Sequence, residues 1–327
     1  MSRKTALITG ANGFLGAWLA KALVARGDDV RCLVRAGSDA SALEGVAAKI
    51  VEGDVTRPES LPDAMKGVHT VFHLAGIRRA GTRDEFIRVN AEGTRHVCEA
   101  MVNAKAQRLV FVGSLAASGP STGGRHRVED DPFEPQEWYG ESKVEGEKIA
   151  FEYANKFEVT SCRPARIIGP GDHENLQFFK LVKKGIVLKL GGPERKLSFV
   201  DVEDVVDQLL LQADKPEAVG QAFFAASDEY WSVEGLMREV GKILGLSPKT
   251  LPLPPLVLTG LANVADVVTN TTGRKLPLNR KLARQLLAPG WTCRIDKAKT
   301  LLGYQPKRTI AESLKRSADS YLALGWL

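Results

Sequence analysis

The sequence predicts an α/β protein, a doubly wound parallel sheet joined to a smaller, mostly helical C-terminal part. Two observations lead there. Short runs rich in β-branched and apolar residues alternate with longer segments of helical spacing through the first half of the 327-residue chain. The runs themselves are almost continuously apolar, as strands buried on both faces by crossover helices must be. In order, "TALIT" (5–9), "DVRCLV" (29–34), "AKIVEG" (48–53), "TVFHLA" (70–75), "RLVFVG" (108–113) and "EVTSCRP" (158–164) read as strands. In the first intervening segment, Leu15, Leu19, Ala22, Leu23 and Ala25 fall on one helical face. Further helices are expected in "PESLPDAMKG", over 84–104 as a single helix, and over "YGESKVEGEKIAFEYANKF". After residue 165 glycine and proline cluster and the rhythm breaks. Residues 1–168 are therefore expected to form the sheet domain and 169–327 a second, smaller domain, with 198–226 crossing back onto the sheet.

Directly after the first strand comes "TGANGFLG", with Gly10, Gly13 and Gly16 between a strand and a helix beginning near Phe14. Glycines there permit a tight turn and close approach to a pyrophosphate, and the helix aims its free N–H groups and positive dipole end at that anion. The placement, more than the glycine pattern, indicates a Rossmann-type cradle in which Gly10, Asn12, Gly13, Phe14, Leu15 and Gly16 touch the cofactor. The second strand ends in Val34 and Arg35, while Asp28 and Asp29 precede it. An arginine at that exit suits a 2′-phosphate through its planar fork, so NADP(H) is favoured and NAD(H) is the alternative.

In "WYGESKVEGEKIA" (138–150), Tyr139 and Lys143 stand four residues apart and share one helical face. Alone, that spacing more often marks an ordinary surface helix. Beside a phosphate cradle it indicates an active site. Ser114 and Ser118 in "VGSLAASG" (112–119) both qualify as partner hydroxyls, and either could instead satisfy backbone groups at a strand end. His69 and His73, four apart and so on one face of a strand, with no third ligand nearby, read as structural residues, and no metal is expected.

Composition excludes several classes. Hydrophobic residues make up 44% and charged residues 26%, ordinary for a globular protein. The net charge of +6 is scattered without a basic stripe, which argues against nucleic acid. The four cysteines form no close pair, consistent with a reducing compartment, and the N-terminal residues lack a secretory pattern, so a cytoplasmic protein is expected. The longest apolar stretch, 251–268, contains three prolines and Asp266. That pattern argues against a membrane span. A buried helix is expected in preference to a membrane contact or a pocket lining.

Eight motifs in order resemble the extended short-chain dehydrogenase/reductases, also called the epimerase/dehydratase superfamily. They are "TGANGFLG" (9–16), "GDV" (53–55), "VFHLAG" (71–76), "VNAEGT" (89–94), "VFVGSLAASG" (110–119), "YGESK" (139–143), "RPARIIGPGD" (163–172) and "FVDVEDV" (199–205). The resemblance implies that Asp54 and Val55 contact the adenine and that Leu74, Ala75 and Gly76 pass beneath a ribose. It implies that Ser114 binds the substrate oxygen, Tyr139 exchanges a proton and Lys143 grips the nicotinamide ribose. Asn90 would support the site, and Pro164, Ala165, Arg166 and Ile167 would run past the nicotinamide. A free phenol, with pKa near ~10, is a poor base at neutral pH, so Lys143 is expected to lower it. The family also commonly forms homodimers through the Tyr139 helix and the long helix before it.

Two departures bear on the reaction. Sugar-nucleotide members resemble one another in an arginine where this chain has Leu197, with Arg195 and Lys196 nearby, and in an asparagine where it has Arg166. Losing a charged contact to a diphosphate counts against that class. The segments around 23–45 and 299–317, with the apolar stretch 251–268, instead resemble the dihydroflavonol-reductase and 3β-hydroxysteroid-dehydrogenase branch. An oxidoreductase for a hydrophobic secondary alcohol or ketone is therefore expected. A nucleotide-sugar epimerase/dehydratase is the alternative, and a non-catalytic NADP-binding protein a third reading.

Overall fold

A computed structural model describes residues 4–272 and 280–327. Expectations that touch residues 1–3 and 273–279, within the N-terminal reading and the C-terminal domain, lie outside the described residues. The strands are β1 (Thr5–Thr9), β2 (Asp29–Val34), β3 (Lys49–Glu52), β4 (Thr70–His73), β5 (Arg108–Val112), β6 (Glu158–Pro164), β7 (Arg166–Ile168), β8 (Ile186–Leu190), β9 (Lys196–Asp201), β10 (Ala222–Ala225), β11 (Tyr230–Ser232) and β12 (Lys249–Leu253).

Seven of them form one parallel sheet in the order β10-β6-β5-β4-β1-β2-β3. From β1 the chain builds outward to β2 and β3, then returns to place β4 on β1's other side. The carboxyl ends of β1 and β4 therefore flank the point where strand order reverses, the place such sheets bind ligands.

Helices cover both faces. Leu19 and Leu23 of helix Phe14–Arg26 pack with Val205 and Leu209 of helix Val202–Asp214 on one side. Val97 and Met101 of helix Gly93–Ala104 pack with Ala150 of helix Trp138–Glu152 on the other. Leu19 and Leu23 are fully buried, each contributing about 1.5–3 kcal/mol of transfer free energy. A separate cluster including Phe179, Leu236, Leu314 and Tyr321 forms the core of the C-terminal part.

Three expectations need correction. The helix over 84–104 is broken into Arg83–Ile87, a π-helical turn Arg88–Glu92 and Gly93–Ala104. The break sets Asn90 within the π turn, a geometry common at functional sites. Of residues 198–226, β10 joins the large sheet, but the strand over 198–201 belongs to β9. That strand pairs with β7 and β11 in a small three-stranded sheet. The apolar stretch 251–268 is not plainly buried: it supplies the end of β12 and most of helix Pro255–Thr272. One face of that helix buries Leu258 and Ala262, while Leu256, Leu261, Val264 and Val267 are exposed. Among the described residues no helix is long and apolar enough to cross a membrane.

Candidate active site

The glycine turn closes directly on the strand beyond it. Gly10 has φ +70°, and a Cβ there would lie 2.8 Å from the Ala75 backbone nitrogen. At Gly16 a Cβ would come within 2.3 Å of the Gly10 carbonyl oxygen. No side chain fits at either position, so the glycine turn and the loop after β4 meet backbone to backbone. Gly13 caps helix Phe14–Arg26, leaving its first N–H groups directed at the crevice. Phe14 and Leu15 form the start of that helix. Asn12 donates to the Asp39 carbonyl at 2.8 Å, tying the cradle to the loop after β2. Arg35 opens that loop and is exposed.

Asp54 follows β3, and its carboxylate accepts from Thr56 N–H and Thr56 Oγ1, each at 2.8 Å. Burial would raise its pKa, but the Thr56 bonds and the Arg35 and Arg57 charges bring it below the ordinary value. Arg35 and Asp54 thus face the same end of the crevice. The Val55 side chain packs into the core, and its carbonyl accepts from His96.

At the far end, Leu74 N–H donates to the Thr9 carbonyl and Ala75 N–H to Thr9 Oγ1. Thr9 Oγ1 in turn lies 2.7 Å from His73 Nδ1, and His73 Nε2 lies 3.0 Å from Thr94 Oγ1. Because Thr94 Oγ1 donates to the Asn90 carbonyl, its lone pair must accept from Nε2–H. The direction of every bond follows: Ala75 N–H to Thr9, Thr9 to Nδ1, Nε2–H to Thr94, Thr94 to Asn90. Burial, then the Lys143 charge, drives the His73 pKa down to about 3, so the ring is a neutral strut. His69 bonds its neighbour Thr70. Among the described residues no group of three His, Cys, Asp or Glu could hold a metal ion.

Asn90 joins three elements. Its Oδ1 accepts from Ile77 N–H at 2.8 Å, and its Nδ2 donates to the Ile77 carbonyl at 3.0 Å and to Ser142 Oγ at 2.9 Å. Ser142 passes its own proton to the Tyr139 carbonyl. This clamp holds the loop after β4 against the first turn of helix Trp138–Glu152, where Tyr139 stands.

Tyr139 packs edge-on against Phe86, and the Arg78 guanidinium lies 5.9 Å from its ring centroid. Burial raises the phenol above its ordinary value, with Arg78 and a hydrogen bond to Ser114 pulling it back down. The expectation that Lys143 lowers it is therefore corrected: burial dominates, and the cation acting on the phenol is Arg78. Lys143, one turn along, is 5% exposed. Burial lowers its pKa to about 8, with Glu147 opposing. Its Nζ lies 5.0 Å from the Phe111 ring centroid and close to Gly76, where a Cβ would be 3.7 Å away. Ser114 caps the short helix Leu115–Ser118, its Oγ accepting from Ala116 N–H at 3.1 Å. Ser118 is fully buried, away from solvent.

Pro164 ends β6 and Ala165 N–H bonds the Ala225 carbonyl, so the chain crosses from the large sheet into β7. The first residue of β7, Arg166, donates to Asn175 Oδ1 at 2.5 Å and to the Glu174 carbonyl at 3.5 Å, and Ile167 accepts from Asn175. Arg78, His73, Thr9, Thr94 and Ser142 were not singled out as site residues from the sequence. Only Arg78 left a legible signal, since it lies in the loop directly after "VFHLAG", at the switch point.

The structure brings together at one crevice a tight glycine turn at a helix N-terminus, an exposed guanidinium at one end, and a tyrosine, serine and buried lysine at the other. That arrangement defines a dinucleotide-binding enzyme fold. Residues 6–225 match the NAD dependent epimerase/dehydratase family, and the chain belongs to it. It is 32% identical over 272 residues to sterol demethylase protein B of Methylococcus capsulatus, covering 80% of this chain and 81% of that protein. It is 31% identical over 328 residues to ceramide reductase of Caulobacter vibrioides, covering 100% and 97%. The crystal structure of gox2253 superposes with a TM-score of 0.84 at 25% identity, covering 99% of both chains. Reductases, dehydrogenases and epimerases all occur among the relatives.

Proposed function

We propose that this chain is an NAD(P)-dependent oxidoreductase acting on a secondary alcohol or ketone of a hydrophobic substrate, with Ser114, Tyr139 and Lys143 as its catalytic set. The carrying observation is the convergence of Tyr139, Ser114 and Lys143 beside Gly76, at the strand-order reversal where the glycine cradle also opens. The residues fit a nicotinamide dinucleotide: a cradle with no room for Cβ atoms, and a buried ammonium without a carboxylate salt bridge among the described residues. When bound, the nicotinamide supplies the site that accepts or donates a hydride. Tyr139 exchanges the matching proton with the substrate oxygen, Ser114 orients that oxygen, and Lys143 holds the ribose hydroxyls. Asp54, Val55, Leu74, Ala75, Gly76 and the stretch from Pro164 to Ile167 line the cofactor's length.

Arg35 beside Asp54 supports NADP(H) as the cofactor. The names of the relatives, a ceramide reductase and a sterol demethylase protein, support a hydrophobic substrate. The UDP-glucose 4-epimerase of Vibrio cholerae, 27% identical, favours the second reading, a nucleotide-sugar epimerase/dehydratase. Against it, Arg195 commits its guanidinium to the carbonyls of Gly191, Pro193 and Leu287, and Leu197 pairs with Trp231 in a sheet. Neither is disposed to hold a diphosphate. A non-catalytic role would leave the Tyr139–Lys143 arrangement without a purpose.

The reading extends to a cytoplasmic homodimer packed through helices Gly93–Ala104 and Trp138–Glu152. It also includes a cofactor domain, 1–168, to which helix Val202–Asp214 and β10 of the 198–226 stretch return, and a substrate domain, 169–327. The test is a screen of hydrophobic ketones and alcohols against NADPH and NADH, repeated with Tyr139→Phe. Loss of the phenol should lower kcat by about 10²–10⁴-fold. Undiminished turnover by that variant, or epimerisation of UDP-sugars with no reductase activity, overturns the proposal.

A further inference from the structure

Arg166 departs from the sugar-nucleotide pattern, and its side chain reaches the turn that is fastened to the loop after β4. The loop after β4 and the turn before helix Leu176–Lys183 are joined by the pair Arg79–Glu174, at 2.8 Å. The same turn holds Arg166 through the Glu174 carbonyl and Asn175 Oδ1, with the guanidinium 4.9 Å from the Phe178 ring centroid. Its partner across the gap is Arg78, next in the chain to Arg79 and in front of the Tyr139 ring. Among the described residues neither Arg78 nor Arg166 closes a salt bridge: of the two carboxylates acting on Arg166, that of Asp172 accepts from Glu174 N–H and from Asn175, and that of Glu174 is taken by Arg79. Burial first, then the Arg78 charge, hold Arg166 below its ordinary pKa, with Asp172 and Glu174 opposing. Two guanidiniums thus stand on the two fastened loops near the catalytic phenol, with both neighbouring carboxylates engaged elsewhere, so an anion entering between them would gain charge-assisted contacts.

We propose that Arg78 and Arg166 form an anion subsite that takes the carboxylate of a 3-hydroxy or 3-oxo carboxylic acid. A guanidinium fork fits a carboxylate, and its distance from Tyr139 suits a carboxyl on the carbon next to the reacting one. A nucleotide's diphosphate stands a whole sugar ring from its reacting carbon and would not lie here. The inference rests on the oxidoreductase reading above and narrows its substrate class.

The test is calorimetric binding of 3-hydroxyoctanoate and of its methyl ester, with NADPH present so that the bound alcohol cannot turn over, to the wild type, Arg78→Gln, Arg166→Gln and Tyr139→Phe, with turnover assayed separately. The wild type should bind the acid at least about tenfold more tightly than the ester. Arg78→Gln and Arg166→Gln should each lose about ten- to a hundredfold for the acid and leave the ester nearly unchanged. Arg78 is exposed, so its variant is not at risk of misfolding, and Arg166→Lys should restore part of the acid affinity. Equal affinity for acid and ester, no binding of the acid, or unaltered acid binding by Arg78→Gln overturns the subsite. Equal loss of acid and ester in Arg166→Gln would show a prop for the 172–175 turn and also overturn it. Tyr139→Phe separates the two proposals: it should abolish turnover and keep acid binding, so persistent turnover sinks the oxidoreductase mechanism while binding alone decides the subsite.

Discussion

Asn90 grips the backbone of Ile77 from both sides, accepting its N–H at 2.8 Å and donating to its carbonyl at 3.0 Å. A single side chain thereby fixes the loop that carries Gly76 and Arg78, and through Ser142 fixes Tyr139 as well. Asn90→Leu should lower kcat by about 10–100-fold and stability by about 1–3 kcal/mol, because it leaves two part-buried backbone groups of Ile77 without their partner. Asn90→Asp keeps the acceptor and loses the donor, so it should fall between wild type and leucine. Kinetics and urea melts check the order. A leucine variant with wild-type kcat would show that the clamp does not position the site.

Lys143 makes stability depend on alkaline pH. Burial takes its pKa from 10.5 to about 8. Between those values the unfolded chain binds more protons than the folded one, so stability contributed by this residue rises with pH across that window. Below pH 8 the full penalty stands, about 3 kcal/mol for a shift of this size. Lys143→Met should therefore be inactive yet more stable than wild type at pH 7, with the difference shrinking towards pH 10. Urea melts at both pH values measure it. A methionine variant less stable at pH 7 contradicts the assignment.

Arg35 governs cofactor choice in the proposed reading. Replacing it with serine removes one charge-assisted contact, so the dissociation constant for NADPH should rise by about 10–100-fold while that for NADH moves less than about threefold. Fluorescence titration with both cofactors decides the matter. An equal effect on the two would place Arg35 elsewhere on the cofactor or away from it.

The helix Pro255–Thr272 offers a pair of controls two residues apart. Leu258 is 3% exposed and Leu256 is 86% exposed. Leu258→Ala should destabilise by about 2–5 kcal/mol, whereas Leu256→Ala should stay within about 0.5 kcal/mol. Thermal melts of the two variants test which face is inward. Similar values for both would mean that the helix is turned differently on its neighbours.

The sequence by itself determined the parts of this protein that rest on local backbone chemistry. Glycines at 10 and 16 between a strand and a helix are needed because the turn doubles back on itself, and that need is legible in eight consecutive residues. Tyr139 and Lys143 share a face because a helix has a fixed pitch. The apolar runs of the first half read as six strands and all six pair in the large sheet, five of them well buried and β3 exposed at its edge. What the tertiary structure decided are contacts between segments far apart in the chain, whose side chains carry no sign of their partner. Asn90 meets Ile77 because a π turn interrupts a segment whose periodicity reads as one helix. Burial, invisible in spacing, raises Tyr139 and makes His73 a neutral strut. Arg166 faces Arg78 because two loops are fastened by Arg79 and Glu174, 95 residues apart. Periodicity reports what one element needs from its surroundings; which surroundings it receives is settled only when the whole sheet and its loops pack.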